Sequence, residues 1–285
     1  MSKPEKTPAA RTKQPTPTRL AATILLLRDG QDRLEVFMVE RHHKIDFAEG
    51  ALVFPGGKVE ASDAAGELAG YCRDAEGSCE DENTLRVAAI RETFEECGVL
   101  LARSRGDDSL IDGARLTQIA DAHQSALQNG ERTMLEVVRD EDLELAFDLL
   151  VPFAHWITPV FMPKRFDTHF FLVAAPANQL AVHDGYESVD SLWTTIPHAL
   201  ELEKSGQRTI IFPTLENIKK LGRSRSVEEA LEAARNDTIV TVLPTVSRAA
   251  DGTMMMELPE AAGYDTVRAP MTELGEIRPK NGSSP

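Results

Sequence analysis

The 285-residue chain is poor in cysteine, having only Cys72, Cys79 and Cys97. An odd and small number excludes a disulfide framework and fits a reducing compartment. Positive charge is also short: 31 Lys and Arg stand against 46 Asp and Glu, a net charge of −15. A binder of phosphate backbones needs the opposite balance, so nucleic acid is not expected as a partner. Long apolar runs are missing as well. The longest, residues 20–27, is strand-sized, well under the roughly 18–20 residues that cross a bilayer, so no membrane association is expected. No internal repeat is visible. Residues 1–19 carry Pro4, Pro8, Pro15 and Pro17, with Lys3, Lys6, Arg11, Lys13 and Arg19 against one acid, Glu5. Such a stretch forms neither a helix nor an export signal, and a disordered arm is expected there.

What is present is enough for a core: 42% of residues are hydrophobic and 27% charged, the balance of a globular chain. At about 150 residues per domain the length suits two domains, or one with insertions. Residues 20–28 and 34–40 read as a strand hairpin around Asp29-Gly30. Residues 51–54 read as a short strand stopped by Pro55-Gly56-Gly57. A helix is expected from Asn83 or Thr84 to about Ala102, with Gly98 inside its last turns. Residues 110–150 are dominated by helix formers and read as a helical excursion broken near Asn129-Gly130. Further strands are expected at 166–174, 192–195 and 239–243, and helices at 196–206 and 226–235, the last capped by Ser226. Irregular alternation of strands and helices predicts the α/β (α+β) class, a mixed sheet with helices on both faces.

Chemistry concentrates in two segments, Phe54-Pro55-Gly56-Gly57 and Arg91-Glu92-Thr93-Phe94-Glu95-Glu96-Cys97-Gly98-Val99. At helical spacing Val87, Ile90, Phe94, Cys97 and Leu101 share one face, and Glu92, Glu95 and Glu96 fall opposite. Like charges three and four residues apart each cost an isolated helix about 0.2–0.5 kcal/mol. A hard divalent cation would offset that repulsion, and carboxylate oxygens suit Mg²⁺ or Mn²⁺. Either segment alone is a common surface feature. Together, a glycine bend that lets a ligand approach the backbone and a helix bearing three acids make a cation cage.

The combination resembles the Nudix hydrolase signature, G-x5-E-x7-R-E-U-x-E-E-x-G-U, with U a bulky apolar residue. Gly57 matches its first glycine, and Arg91-Glu92, Glu95-Glu96, Gly98 and Val99 match its second half. The departures are Asp63 in place of the first Glu, Thr93 in place of an apolar residue, and 27 residues (64 to 90) where the signature has seven. An interrupted box is similar to that of the branch containing the peroxisomal coenzyme A diphosphatases. Met38-Val39-Glu40-Arg41, Gly50 and residues 165–171 extend the likeness. The coenzyme A motif of related enzymes is met at Arg41, Gly50 and 54–57, while His42 and Asp46 replace its Ser and second Arg.

The resemblance implies a Nudix-type α/β/α sandwich over residues 20–245, with a loop insertion at about 64–83 and a helical insertion at about 104–150. A partly disordered extension, 246–285, would follow. It implies a diphosphatase acting on a nucleoside diphosphate derivative, by preference coenzyme A or an acyl-coenzyme A. Metal would be held by Glu92, Glu95, Glu96 and the Gly56 carbonyl, with Arg91 pairing Asp63 and orienting the glutamates. The general base would be Glu92, Glu95 or a loop acid, Glu187. Arg41, Lys58 and Arg165 are candidate substrate contacts. The last residues, Ser-Ser-Pro, are not a peroxisomal address, and a cytoplasmic location is expected. Two other readings stand beside this one. The first keeps the chemistry on ADP-ribose, a dinucleotide or a nucleotide sugar. The second is a ligand-sensing module without catalysis, disfavoured because Glu92, Glu95 and Glu96 are all present. A DNA-reading segment such as sensors carry is disfavoured because Glu228, Glu229 and Glu232 balance Lys219, Lys220, Arg223 and Arg225. A homodimer is left open.

Overall fold

The computed structural model describes residues 16–41, 50–64, 66–75, 79–179 and 188–271. In chain order the elements are β1 (Arg19–Asp29), β2 (Leu34–Arg41), β3 (Ala51–Val53), β4 (Gly56–Lys58), α1 (Glu80–Cys97), β5 (Ala102–Ser104), α2 (Gly113–Gln128) and α3 (Met134–Asp140). Then come β6 (Leu143–Leu145), β7 (Val151–Ile157), β8 (Phe166–Ala174), β9 (Ser188–Thr195), α4 (Ile196–Lys204), β10 (Thr209–Ile210), α5 (Phe212–Leu221) and α6 (Val227–Asn236). The short strands β11 (Thr241–Val242), β12 (Thr245–Arg248), β13 (Met254–Glu257) and β14 (Arg268–Pro270) end the described chain. The main sheet runs β10-β3-β2-β1-β8-β7-β11, with β4 added on β1 and β9 on β2. It is mixed: β1 pairs β8 in parallel and β2 and β4 antiparallel.

Alternation along the strands splits the core in two. In β1, Ile24 and Leu26 join a cluster with Ile90 and Phe94 of α1, while Leu25 and Leu27 join another with Ile218 of α5 and Ala230 of α6. The sheet is therefore filled on both faces, as the α/β/α expectation requires.

Several local expectations are corrected. Arg19, assigned to the disordered arm, begins β1 and bonds through its N–H to the Arg165 carbonyl. The helix starts at Glu80, three residues early, because Glu80, Asp81 and Glu82 suit the positive end of its dipole. Gly98 does not lie within it. At φ 63° it terminates the helix, its N–H bonding back to Phe94. Residues 64–83 are not plain loop, since 3₁₀ turns occupy Ala61–Ala64 and Gly66–Tyr71. The excursion after α1 holds two helices broken at Asn129 and Gly130, yet it also returns as a strand. β6 pairs β5, and Arg103 grips Asp148 through two 2.7 Å bonds. Beyond residue 245 the chain adds a three-stranded sheet whose Met256, with Leu258 and Tyr264, is buried; Leu258 and Tyr264 join the second core. No helix among the described residues is long and apolar enough to cross a membrane.

Candidate active site

The glycine bend is made by folding β4 back on β1, with Thr23 opposite Gly56 and Ala22 opposite Gly57. Gly56 sits at φ +153°, and a Cβ there would fall 2.4 Å from the Ala22 carbonyl oxygen. Only glycine passes so close to a neighbouring strand. At Gly57 a Cβ would fall 2.4 Å from the Glu92 carboxyl group. The missing side chain is therefore the space into which Glu92 reaches. The Gly56 N–H donates to Glu96 Oε2 at 2.9 Å. Bend and helix are thus joined at two successive glycines.

Arg91 organises the acids around it. Its Nε and Nη2 donate to the two oxygens of Asp63 at 2.8 and 3.0 Å, and Nη2 also reaches the Lys58 carbonyl at 2.9 Å. Its Nη1 donates to Glu92 Oε1 at 3.1 Å and Glu95 Oε1 at 3.2 Å. Asp63 is held in turn by the Glu60 N–H at 2.8 Å. The side chains of Arg91 and Asp63 are only 4% and 1% exposed, so this is a buried pair rather than a surface one. Burial works against the guanidinium charge, but Asp63, Glu92 and Glu95 outweigh it and hold its pKa above the ordinary range. Burial raises the Glu95 pKa, with Arg91 opposing.

The three glutamates, expected opposite the apolar stripe of the helix, do not face open solvent: Glu92 is buried and Glu95 and Glu96 are half-buried. Glu92 and Thr93 are buried along with the apolar stripe, because α1 is packed over the sheet and also touched by α2 and the 61–64 turn. Asp63, Glu92 and Glu95 share the Arg91 guanidinium, leaving an excess of negative charge in a partly desolvated place. All-oxygen donors, excess negative charge and the cradle at Gly57 fit a hard divalent cation.

The candidate substrate contacts separate. Arg41 lines a cavity of ≈ 210 Å³ together with Phe54, Gly56, Gly57, Trp156 and Phe170. Its Nε is buried without a hydrogen-bond partner among the described residues. Lys58 is exposed, and its carbonyl accepts from Arg91 Nη2. Arg165 is withdrawn from it: Nε donates to the Thr158 carbonyl at 3.0 Å and Nη1 to that of Thr16 at 2.8 Å. Those bonds pin the β7–β8 connection to the start of β1, a structural use of the charge. Glu187 lies outside the described residues, as do His42 and Asp46. The apolar cavity itself was not anticipated, since its wall combines β1, β7, β8 and α5 from distant parts of the chain.

Compared with known proteins, residues 70–221 match the family described as the NUDT19 Nudix domain. The chain is 24% identical to an acyl-coenzyme A diphosphatase NUDT19 of Xenopus laevis over 260 residues, 76% of this chain and 68% of that protein. Its likeness to the protein of that name from Gallus gallus is 26% over 302 residues, 87% of this chain and 80% of the other. A crystal structure of a NUDIX hydrolase from Alicyclobacillus acidocaldarius is 30% identical, with a TM-score of 0.65, covering 76% of this chain and 96% of that one.

Proposed function

The chain belongs to the NUDT19 Nudix domain family, and from that premise we propose that it is a hydrolase that uses Mg²⁺ or Mn²⁺ to cleave the diphosphate linkage of coenzyme A or an acyl-coenzyme A. The names of its relatives support the substrate class. The observation that carries the chemistry is the junction of α1 with the bend: the Gly56 N–H on Glu96 at 2.9 Å, and Gly57 shaped to admit Glu92.

Glu92, Glu95 and Glu96 are the proposed ligands, with the Gly56 carbonyl as a fourth. The ion, when bound, neutralises the diphosphate and makes water more acidic. The rest falls to the protein. Arg91 ties Glu92 and Glu95 to Asp63, fixing two carboxylates before substrate arrives, which lowers the reorganisation needed at the moment of reaction. Arg41 is the proposed phosphate contact, because its Nε, without a partner among the described residues, lies in the cavity wall beside the bend. Phe54, Trp156, Phe170 and Phe212 offer the apolar and aromatic surface that an adenine or an acyl chain requires. A proton from the attacking water passes to Glu92 or Glu95, or to Glu187. A cysteine count of three, small and odd, supports a cytoplasmic location. Dimerisation is a matter for solution scattering.

The test is a panel of coenzyme A, acyl-coenzyme A, ADP-ribose, a dinucleotide and a nucleotide sugar, each with Mg²⁺ and with Mn²⁺, and each repeated in excess chelator. Preferential metal-dependent release of adenosine 3′,5′-bisphosphate together with a phosphopantetheine half (acylated where the substrate was) is expected from the coenzyme A compounds. Preference for another member would replace the substrate, and silence across the panel would overturn the enzyme.

A further inference from the structure

A second cluster lies on the same face of the sheet as α1. His155 of β7 and His169 of β8 are direct cross-strand partners, so their side chains leave the sheet on the same side. Asp167 precedes His169 by two residues and joins them there. The two imidazoles stack with centroids 3.9 Å apart and planes at 22°. Both aim Nε2 at one oxygen: Asp167 Oδ1 is 2.5 Å from that of His155 and 3.7 Å from that of His169. All three candidate ligand atoms lie within 4.8 Å of one another. Two ligands of one ion at about 2.0–2.1 Å in tetrahedral geometry stand roughly 3.3–3.5 Å apart. The observed separations bracket that value, so small side-chain rotations bring all three onto a common centre.

The surroundings are arranged as for a ligand set. Thr241 of β11, next in register to His155, places its Oγ1 2.8 Å from His155 Nδ1. Fixing one ring nitrogen from behind orients the other, as partners of metal-bound histidines do. The side chains of His155, Asp167 and His169 are 18%, 26% and 31% exposed, enough for an ion to enter from solvent. Glu82, at the start of α1, adds negative charge from the helix side.

We propose that His155, Asp167 and His169 bind one ion of the zinc class, such as Zn²⁺ or Co²⁺, with a coordination position left for water or an anion. Two imidazole nitrogens and one carboxylate select borderline ions over Mg²⁺, which demands oxygen. The all-oxygen cluster at Glu92, Glu95 and Glu96 has the opposite preference. The two sites are distinct in position too. Gly57, Ala22, His169 and His155 are successive partners across β4, β1, β8 and β7, which puts His169 two strands, or about 10 Å, from Gly57.

The experiment is a Co²⁺ titration of the full chain in excess Mg²⁺, followed by the visible d–d absorption of low-coordinate cobalt. A saturable band equivalent to one ion is expected, and it should persist in Glu96→Gln, where the other site is impaired. His155→Ala and Asp167→Asn should each weaken binding by at least ~10-fold, and Thr241→Val by roughly 10-fold. Circular dichroism checks each variant's fold. Should the ligand variants misfold, Thr241→Val decides: a band unchanged in position and affinity overturns the site. Absence of any band in the natural chain, or its survival in a folded His155→Ala, His169→Ala double variant, overturns it as well.

Discussion

Two neighbouring rows of residues cross the same strands and carry opposite chemistry. Gly57, Ala22, His169 and His155 form one row and face α1. Gly56, Thr23, Phe170 and Ala154, one residue along each strand, form the other and face the apolar cavity side. On the first face stand the glutamates, the Arg91–Asp63 pair and the two histidines. On the second are Trp156, Phe54 and Phe170. Because strand side chains alternate with period two, a sheet one residue thick separates charge chemistry from apolar recognition. Gly56 and Gly57 are the place where the partition is thin. Both line the cavity, while one bonds Glu96 and the other yields its side-chain space to Glu92.

The contrast can be broken from either side. Arg91→Ala would leave Asp63 charged and buried without its guanidinium, lowering stability by about 3–5 kcal/mol in denaturant titration. A loss no larger than a surface ion pair, about 1 kcal/mol or less, would mean the cluster is more hydrated than its burial implies. Next in size, Glu96→Gln should lower metal-dependent turnover by ~10²–10³-fold, about 2.7–4 kcal/mol of transition-state stabilisation, with the melting temperature little changed. Unaltered turnover would remove Glu96 from the chemistry. The smallest effect tests the apolar face. Phe161 lines the cavity yet is 47% exposed, so its truncation spares the core. Phe161→Ala should raise KM for an acyl-coenzyme A by about 10-fold with kcat unchanged, the sign of lost uniform binding. An equal change in kcat would place the side chain at the reacting end.

Elements with strong local signals were readable. Strand 166–174 is found as β8 at those bounds, and α6 follows the Ser226 cap, whose oxygen accepts from the Glu229 N–H. β7 is not among the expected strands; it carries Pro152, which the structure accommodates where the register with β8 shifts between Pro152 and Ala154. α5, also not among the expected helices, begins Phe212-Pro213, with its proline in the first turn where the missing N–H costs nothing. In the site, the glutamates were legible within one helix and the glycines within one bend, each a short-range pattern, whereas their meeting spans 40 residues and is seen in the Gly56–Glu96 bond. For Arg165 a sequence shows a charge but not the Thr158 and Thr16 carbonyls it meets. The histidine cluster left half a signal, Asp167 and His169 at strand spacing; its third member depends on the β7–β8 register.

By itself, then, the order of residues determined which groups the protein carries and which lie together within one helix or bend, since period, capping and turn chemistry act over a few residues. Tertiary structure alone decided that α1 is buried along most of its length, that β4 returns to β1, and that distant β7, β8 and α5 enclose a cavity beside the bend. Those outcomes come from cross-strand register and from burial of apolar surface between elements far apart in the chain, which no local pattern encodes.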